Sequence, residues 1–159
     1  MQQAVVATPV HQPKQPLTLA LRPAAEAYDF EYFRDRLAVP AILDDAVAVR
    51  IFRAPLLAVP VGGPRLGGYM SFDLLMLAMA ARDLLDNQAG FPNLRVRWSP
   101  YGDTCHTVEW GDPAPEWWED DAVLGRFYGY SEGAISAFTQ HRPQTPSSAI
   151  SEPCSPTAR

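Results

Sequence analysis

The sequence has one lysine and two cysteines, and each scarcity excludes a class of protein. Lys14 is the single lysine, acidic residues outnumber basic ones by 18 to 13, and the formal net charge is -5 at pH 7. Binding to nucleic acid or to a membrane surface needs concentrated lysine and arginine, so neither partner is expected. Two cysteines supply too few thiolates for a zinc site. Cys105 lies in a strand-like run and Cys154 in a Pro/Ser-rich tail, so a stabilising bridge between them is not expected.

Long apolar runs and diagnostic motifs are also missing. The unbroken apolar run from Leu74 to Ala81 covers 8 residues, whereas a membrane-spanning helix needs about 20. The first ten residues are not a basic region followed by a long apolar stretch, so no signal peptide is expected and a cytoplasmic location is predicted. No catalytic motif, cofactor motif or metal-ligand set occurs. We therefore expect no cofactor and no metal, and the enzyme class stays open but less favoured.

The apolar pattern predicts a single α+β domain built around a central helix. The stretch Phe72 to Asn87 gathers its polar residues on one arc, so it is predicted as a helix that is almost fully buried, with Ser71 as its N-cap. Alternating runs predict a mainly antiparallel sheet of about four strands. An N-terminal helix is expected on the same face of the sheet and a C-terminal helical pair at the edge, with a possible helix–strand–strand repeat. The predicted helices are 25–38, 120–128 and 131–141, and the predicted strands are 47–53, 56–61, 94–98 and 104–110.

Proline and glutamine content sets the predicted boundaries. Residues 1–24 are interpreted as a flexible arm and residues 143–159 as a disordered Pro/Ser-rich tail, because neither segment holds enough apolar surface to offset the entropy of ordering. The predicted folded unit is 25–142, a size that supports one compact core.

Alternation along the strands places apolar side chains on one face of the sheet and polar ones on the other. The apolar face would be covered by helices, while the polar face would carry three arginines able to clamp a phosphate or carboxylate with paired hydrogen bonds. The alternative is a solvated face that serves only solubility, with Glu109 as an ion-pair partner. The arginines of this anion-binding hypothesis are Arg50, Arg95 and Arg97.

A glycine-rich loop, Gly62 to Gly68, is a second candidate for anion binding. It is expected to lead into the N-terminus of the central helix, where free backbone N–H groups attract anions. Its candidate residues are Gly63, Arg65 and Gly67. The loop fails the phosphate-loop pattern, because Gly68-Tyr69 stands where lysine and serine or threonine belong. The alternative is a hairpin turn that uses glycine for its positive φ.

An acidic and tryptophan-rich run, Glu109 to Asp121, supports the favoured function. No lysine or arginine occurs between Arg97 and Arg126. Tryptophan is enriched at binding hot spots, and acidic rims steer basic partners. We therefore predict a small accessory or regulatory protein that binds an unidentified protein partner, with a homodimer also permitted. The alternative is a loop whose tryptophans fold back onto the edge of the core. The predicted binding residues are Trp110, Glu116, Trp117, Trp118 and Glu119.

Two further motifs have simpler explanations than catalysis or DNA binding. Cys105 and His106 would be a nucleophile and base, but neighbouring residues of a strand point to opposite faces, so they cannot pair if the strand is formed. The C-terminal helices resemble a helix-turn-helix in outline. The second helix offers Glu132, Ser136 and Gln140 rather than a basic surface, so DNA reading is not expected.

Three segments carry a resemblance to a known family. They are RAPLLAVPVGG at 53–63, SPYGDTCHTVEWG at 99–111 and GRFYGYSEGAISAF at 125–138. At these segments the chain resembles an uncharacterised family, a domain of unknown function, of small proteins from high-GC actinobacteria. The resemblance covers roughly residues 28 to 141, most of the predicted folded unit. It implies no activity, substrate, cofactor or functional residue.

Overall fold

The computed structural model describes residues 19–51 and 54–141. Within them the chain forms two antiparallel sheets of three strands each, with α-helices and short 3₁₀ helices around them, which confirms the α+β class. The strands are β1 Ala20–Pro23, β2 Val47–Arg50, β3 Leu56–Ala58, β4 Gly67–Phe72, β5 Arg95–Arg97 and β6 His106–Gly111. The α-helices are α1 Phe30–Arg34, α2 Leu75–Leu85, α3 Asp121–Phe127 and α4 Glu132–His141, and the 3₁₀ helices are Ala24–Glu26 and Pro40–Asp45.

The first sheet, in the order β1-β2-β3, is covered on both faces. Ala48 and Val49 of β2 are each fully buried, and because neighbouring strand residues point to opposite faces they belong to two different core clusters. Ala48 packs in the cluster that holds Phe33 of α1, whereas Val49 packs in the cluster that holds Leu77 of α2. The N-terminal and central helices therefore lie on opposite faces of this sheet, and the prediction that they share one face is wrong.

The second sheet, in the order β4-β6-β5, has one covered and one polar face. Helix α2 covers it with Leu77, Ala78, Ala81 and Leu85, which recur at the spacing of one helical face. Met76, on the opposite side of α2, is 78% exposed. The helix is thus buried along one face only, and the prediction that it is almost fully buried is wrong.

Two strands lie where the sequence predicted other structure. Strand β1 falls inside the segment interpreted as an arm, and Leu19 before it is a core residue, so the boundary at residue 25 is placed too late. Strand β4 occupies part of the glycine-rich segment and includes Ser71, predicted as a helix cap. The rest of the predicted arm and the predicted tail at 143–159 lie outside the described residues.

The two halves of the chain share an element order but not a topology. Each half runs strand, helix, strand, strand, and the hairpins β2–β3 and β5–β6 are antiparallel as predicted. In the first half β2 is the central strand, joined to β1 and β3, whereas in the second half β6 is central, joined to β4 and β5. The predicted repeat therefore holds for the order of elements and fails for their pairing.

The C-terminal helices close an edge of the fold, as predicted. Asp120 caps α3, its side chain accepting a hydrogen bond from the Ala122 amide at 2.7 Å. The turn between α3 and α4 contains Gly129, at φ +75°, whose carbonyl accepts from the Ala38 amide at 2.9 Å. The second bond joins the turn between the two helices to the segment after α1.

Candidate protein-binding site

The tryptophans of the acidic run divide into two environments. Trp110 lies in β6 and is 1% exposed; its ring packs edge-on against Phe91, and its Nε1 donates to the Val59 carbonyl at 3.0 Å. It joins the second sheet to the segment after β3. Trp110 is therefore a core residue, and its assignment to a binding surface is wrong.

Trp117 and Trp118 lie in the loop between β6 and α3 and face solvent. They are 80% and 65% exposed, and their rings meet edge to face with centroids 5.5 Å apart. The loop is fixed on either side of the pair: the Glu119 amide donates to the Glu116 carbonyl at 2.9 Å, and α3 begins at the Asp120 cap. Both glutamates are exposed, so the loop presents two aromatic rings between carboxylates.

A groove of about 650 Å³ adjoins this loop. Its lining includes Pro115, two residues before Trp117, and Val123, which follows the loop and belongs to α3. The lining is mainly apolar, and Leu66 and Val123 are both substantially exposed within it. The lining residues are Ala38, Pro64, Leu66, Pro115, Val123, Arg126, Phe127, Tyr130, Ser131 and Glu132.

The charged residues in the groove lining neutralise each other. The Arg126 guanidinium donates to both carboxylate oxygens of Glu132, at 2.7 and 2.9 Å, in a paired geometry. This contact lowers the pKa of Glu132 below its ordinary value. The remaining charge near the loop is negative, since Glu116, Glu119 and Asp120 precede α3 with no lysine or arginine between residues 97 and 126.

The glycine-rich segment forms a tight turn. The amides of Gly62 and Arg65 donate to each other's carbonyls at 3.0 Å, and Gly63 between them has φ +53°. These two N–H groups are thus occupied within the turn, and Gly67 lies in β4, where an added Cβ would meet the Phe127 ring at 2.7 Å. Because β4 intervenes, the segment does not lead directly into the N-terminus of α2. The segment therefore has the geometry of a hairpin turn, which is the alternative to an anion-binding loop.

Arg65 is buried and bound to backbone. Its Nε donates to the Val59 carbonyl at 3.3 Å and its Nη1 to the Tyr128 carbonyl at 2.6 Å. Burial lowers its pKa to about 10, since desolvation disfavours the charged form. Gly68 makes room for this arrangement: a Cβ there would lie 2.7 Å from Arg65 Nη2 and 2.6 Å from the Trp110 ring. In this position the guanidinium ties the segment after β3 to the turn after α3.

The three arginines of the anion-binding hypothesis do not converge. Arg50 is in β2 of the first sheet, whereas Arg95 and Arg97 are in β5 of the second. The Nε atoms of Arg95 and Arg97 lie 3.0 and 3.2 Å from the two carboxylate oxygens of Glu109, which is the ion-pair partner that the alternative predicted. Arg95 also donates to the carbonyls of Gly111 and Asp112, each at 3.2 Å. Anion binding by this face stays a prediction.

Cys105 and His106 have separate roles. The His106 Nδ1 accepts from the Ser99 amide at 3.1 Å, a bond that holds the turn between β5 and β6. Cys105 is disulfide-bonded, so the expectation that the cysteines do not bridge is wrong, and the other cysteine of the sequence lies outside the described residues.

In residues 19–51 and 54–141 no group of three or more His, Cys, Asp or Glu side chains is arranged to hold a metal ion. Among the same residues no helix is both long and apolar enough to cross a membrane.

Sequence reasoning missed the groove, because its lining comes from four separate segments. The one available signal was the sequence at 115–123, which contributes Pro115 and Val123 on either side of the tryptophans. The predicted residues Glu116, Trp117, Trp118 and Glu119 stay together on one loop, and Trp110 does not join them.

Comparison with known proteins gives a family. No curated protein and no solved structure matches the chain. A family model described as a family of unknown function, DUF6302, matches residues 21–158, which extends beyond the predicted resemblance at both ends. The chain therefore belongs to the DUF6302 family, whose function is unknown.

Proposed function

We propose that this protein is a protein-binding module and that the pair Trp117–Trp118 is its main contact. The observation that carries the proposal is the exposure of both rings, 80% and 65%, beside a groove whose lining is mainly apolar. Contiguous apolar surface rimmed by polar residues marks interaction sites, and tryptophan is the residue most enriched among binding hot spots.

The loop is held in place before a partner arrives. The two rings contact each other, and hydrogen bonds fix the backbone on either side, from Glu119 to Glu116 and from Ala122 to the Asp120 cap. A surface that is ordered in the free protein loses less conformational entropy on binding. This arrangement supports recognition of a partner rather than a loop that acts as a spacer.

The proposal is tested with the double variant Trp117→Ala/Trp118→Ala. Cross-linking of the full chain in its native cells identifies a partner, and the dissociation constant is then measured with both proteins purified. We expect the double variant to weaken binding by a hundredfold or more, because a hot-spot side chain contributes about 2 kcal/mol or more. Tyr28→Ala is the matched control, since Tyr28 is also 80% exposed but lies just before α1. Equal weakening by the control and the double variant would contradict the proposal.

The proposal extends to the source organism and the cellular compartment of the protein. We propose an actinobacterial source on the basis of the resemblance at 53–63, 99–111 and 125–138. The cytoplasmic location stays a prediction from the sequence, and the disulfide at Cys105 counts against it, because reducing compartments disfavour such bonds. Alkylation of free thiols before cell lysis, followed by mass spectrometry of the Cys105 peptide, decides between a reduced and an oxidised location.

A further inference from the structure

The groove beside Trp117 has the dimensions of a site for a short segment of chain. Its volume of about 650 Å³ lies within the range of small-ligand pockets, about 300 to 1,000 Å³. A flat protein surface would not enter such a groove, whereas side chains of an extended segment would. Pro115 lines the groove and is two residues from Trp117, so the loop that carries the exposed rings borders the groove.

The charge around the groove favours a partner segment of positive charge. The cation in its lining, Arg126, is already paired with Glu132. Three exposed acidic residues follow Pro115 before α3, and no lysine or arginine lies among them. Such a rim attracts a positively charged partner and repels a negative one. The three residues are Glu116, Glu119 and Asp120.

The same charge argues against a second copy of this chain as the occupant. A twofold interface places the same surface on both subunits, so it would bring two such acidic loops together. The formal net charge of -5 adds to the repulsion. A basic segment of a different protein has no such cost.

We propose that the groove and the Trp117–Trp118 pair bind a short extended segment of another protein, with an apolar side chain in the groove and lysine or arginine side chains against the acidic rim. This inference rests on the proposed function and names the chemistry of its partner. Leu66 and Val123 contact the apolar side chain, while Glu116 and Glu119 contact the basic ones.

The test is selection of a random decapeptide display library on the full chain. We expect the enriched peptides to combine a large apolar residue with at least two lysines or arginines. Enrichment of neutral or acidic peptides, or no enrichment, would overturn the inference. The strongest peptide is then synthesised and its dissociation constant measured by fluorescence anisotropy at low and physiological salt.

Variants separate the two contributions to binding. Leu66→Ala/Val123→Ala removes apolar lining and is expected to weaken the peptide about tenfold, from the transfer free energy of the lost methyl groups. Glu116→Gln/Glu119→Gln is expected to weaken it about threefold to tenfold and to reduce its salt dependence. The matched control is Asp73→Asn/Asp103→Asn, which removes the same charge beyond the opposite end of β6; it should leave binding unchanged.

Two other occupants of the groove, the chain's own C-terminal segment and a second copy of the chain, are tested alongside the selected peptides. A synthetic peptide of residues 142–159 that outcompetes every selected peptide would make the chain's own C-terminal segment the occupant and would overturn the inference. Self-association that Leu66→Ala/Val123→Ala abolishes, seen by analytical ultracentrifugation, would do the same in favour of a second copy. If the natural partner depends on Trp117 and Trp118 but is insensitive to Glu116→Gln/Glu119→Gln, the proposed function stands and this inference fails.

Discussion

The substitution Trp110→Phe tests whether Trp110 belongs to the core or to the binding surface. The indole donates to the Val59 carbonyl at 3.0 Å, and phenylalanine cannot. That carbonyl keeps a second donor, Arg65 Nε at 3.3 Å, so the loss is the net value of one hydrogen bond, about 0.5 to 1.5 kcal/mol, rather than the cost of an orphaned acceptor. The ring atoms that phenylalanine does not replace add about 1 to 2 kcal/mol as lost transfer energy and residual cavity. The expected loss of unfolding free energy is therefore about 1.5 to 3.5 kcal/mol.

Urea unfolding followed by far-UV circular dichroism measures this loss as a shift in midpoint at constant slope. Trp117→Phe is the matched control, because it makes the same chemical change at a side chain that is 80% exposed. We expect the control to stay within about 0.5 kcal/mol of the parent. Equal midpoints for the two variants would refute the division of the tryptophans into one core residue and one exposed pair.

Two buried polar side chains give further predictions. Arg65→Lys keeps the charge but loses the forked geometry that reaches two carbonyls, so we expect a loss of about 1 to 3 kcal/mol of unfolding free energy in the same urea assay. An unchanged midpoint would show that Arg65 does not hold the fold. Burial raises the pKa of the Asp29 carboxyl above its ordinary value of 3.8, so the folded state favours the protonated carboxyl. The stability that this gives is fully present below pH 3.8 and is lost as the pH rises through the folded-state pKa. Asp29→Asn keeps an oxygen acceptor for the Leu57 amide and should gain stability relative to the parent between pH 4 and pH 7; a constant difference would contradict this.

The hairpins and the C-terminal helices could be predicted because their signals are local. Alternation over Val47–Arg50 and Arg95–Arg97 sets the strand period, and turn residues between the strands set the antiparallel return. The predicted helix 120–128 corresponds to α3, which begins after Asp120, and the structure adds that the Asp120 side chain caps it. These features depend on residues within a few positions of one another.

Strand β4 could not be predicted from its own residues. Its sequence, GGYMSF, begins with two glycines, which have low strand propensity. It is a strand because it pairs with β6 along its whole length, from Gly67 opposite Gly111 to Phe72 opposite His106. The glycines are needed there for packing, since a side chain at Gly68 would collide with Trp110 and Arg65.

The sequence by itself determined the α+β class, two hairpins, the C-terminal helices and the acidic composition of the loop that contains Trp117 and Trp118. Only the tertiary structure decided that the first sheet is covered on both faces, that Trp110 is core and that Arg50 is separated from Arg95 and Arg97. The physical reason is the range of the interactions. Periodicity and capping arise between neighbours in the chain, whereas burial of a given face depends on which distant element packs against it.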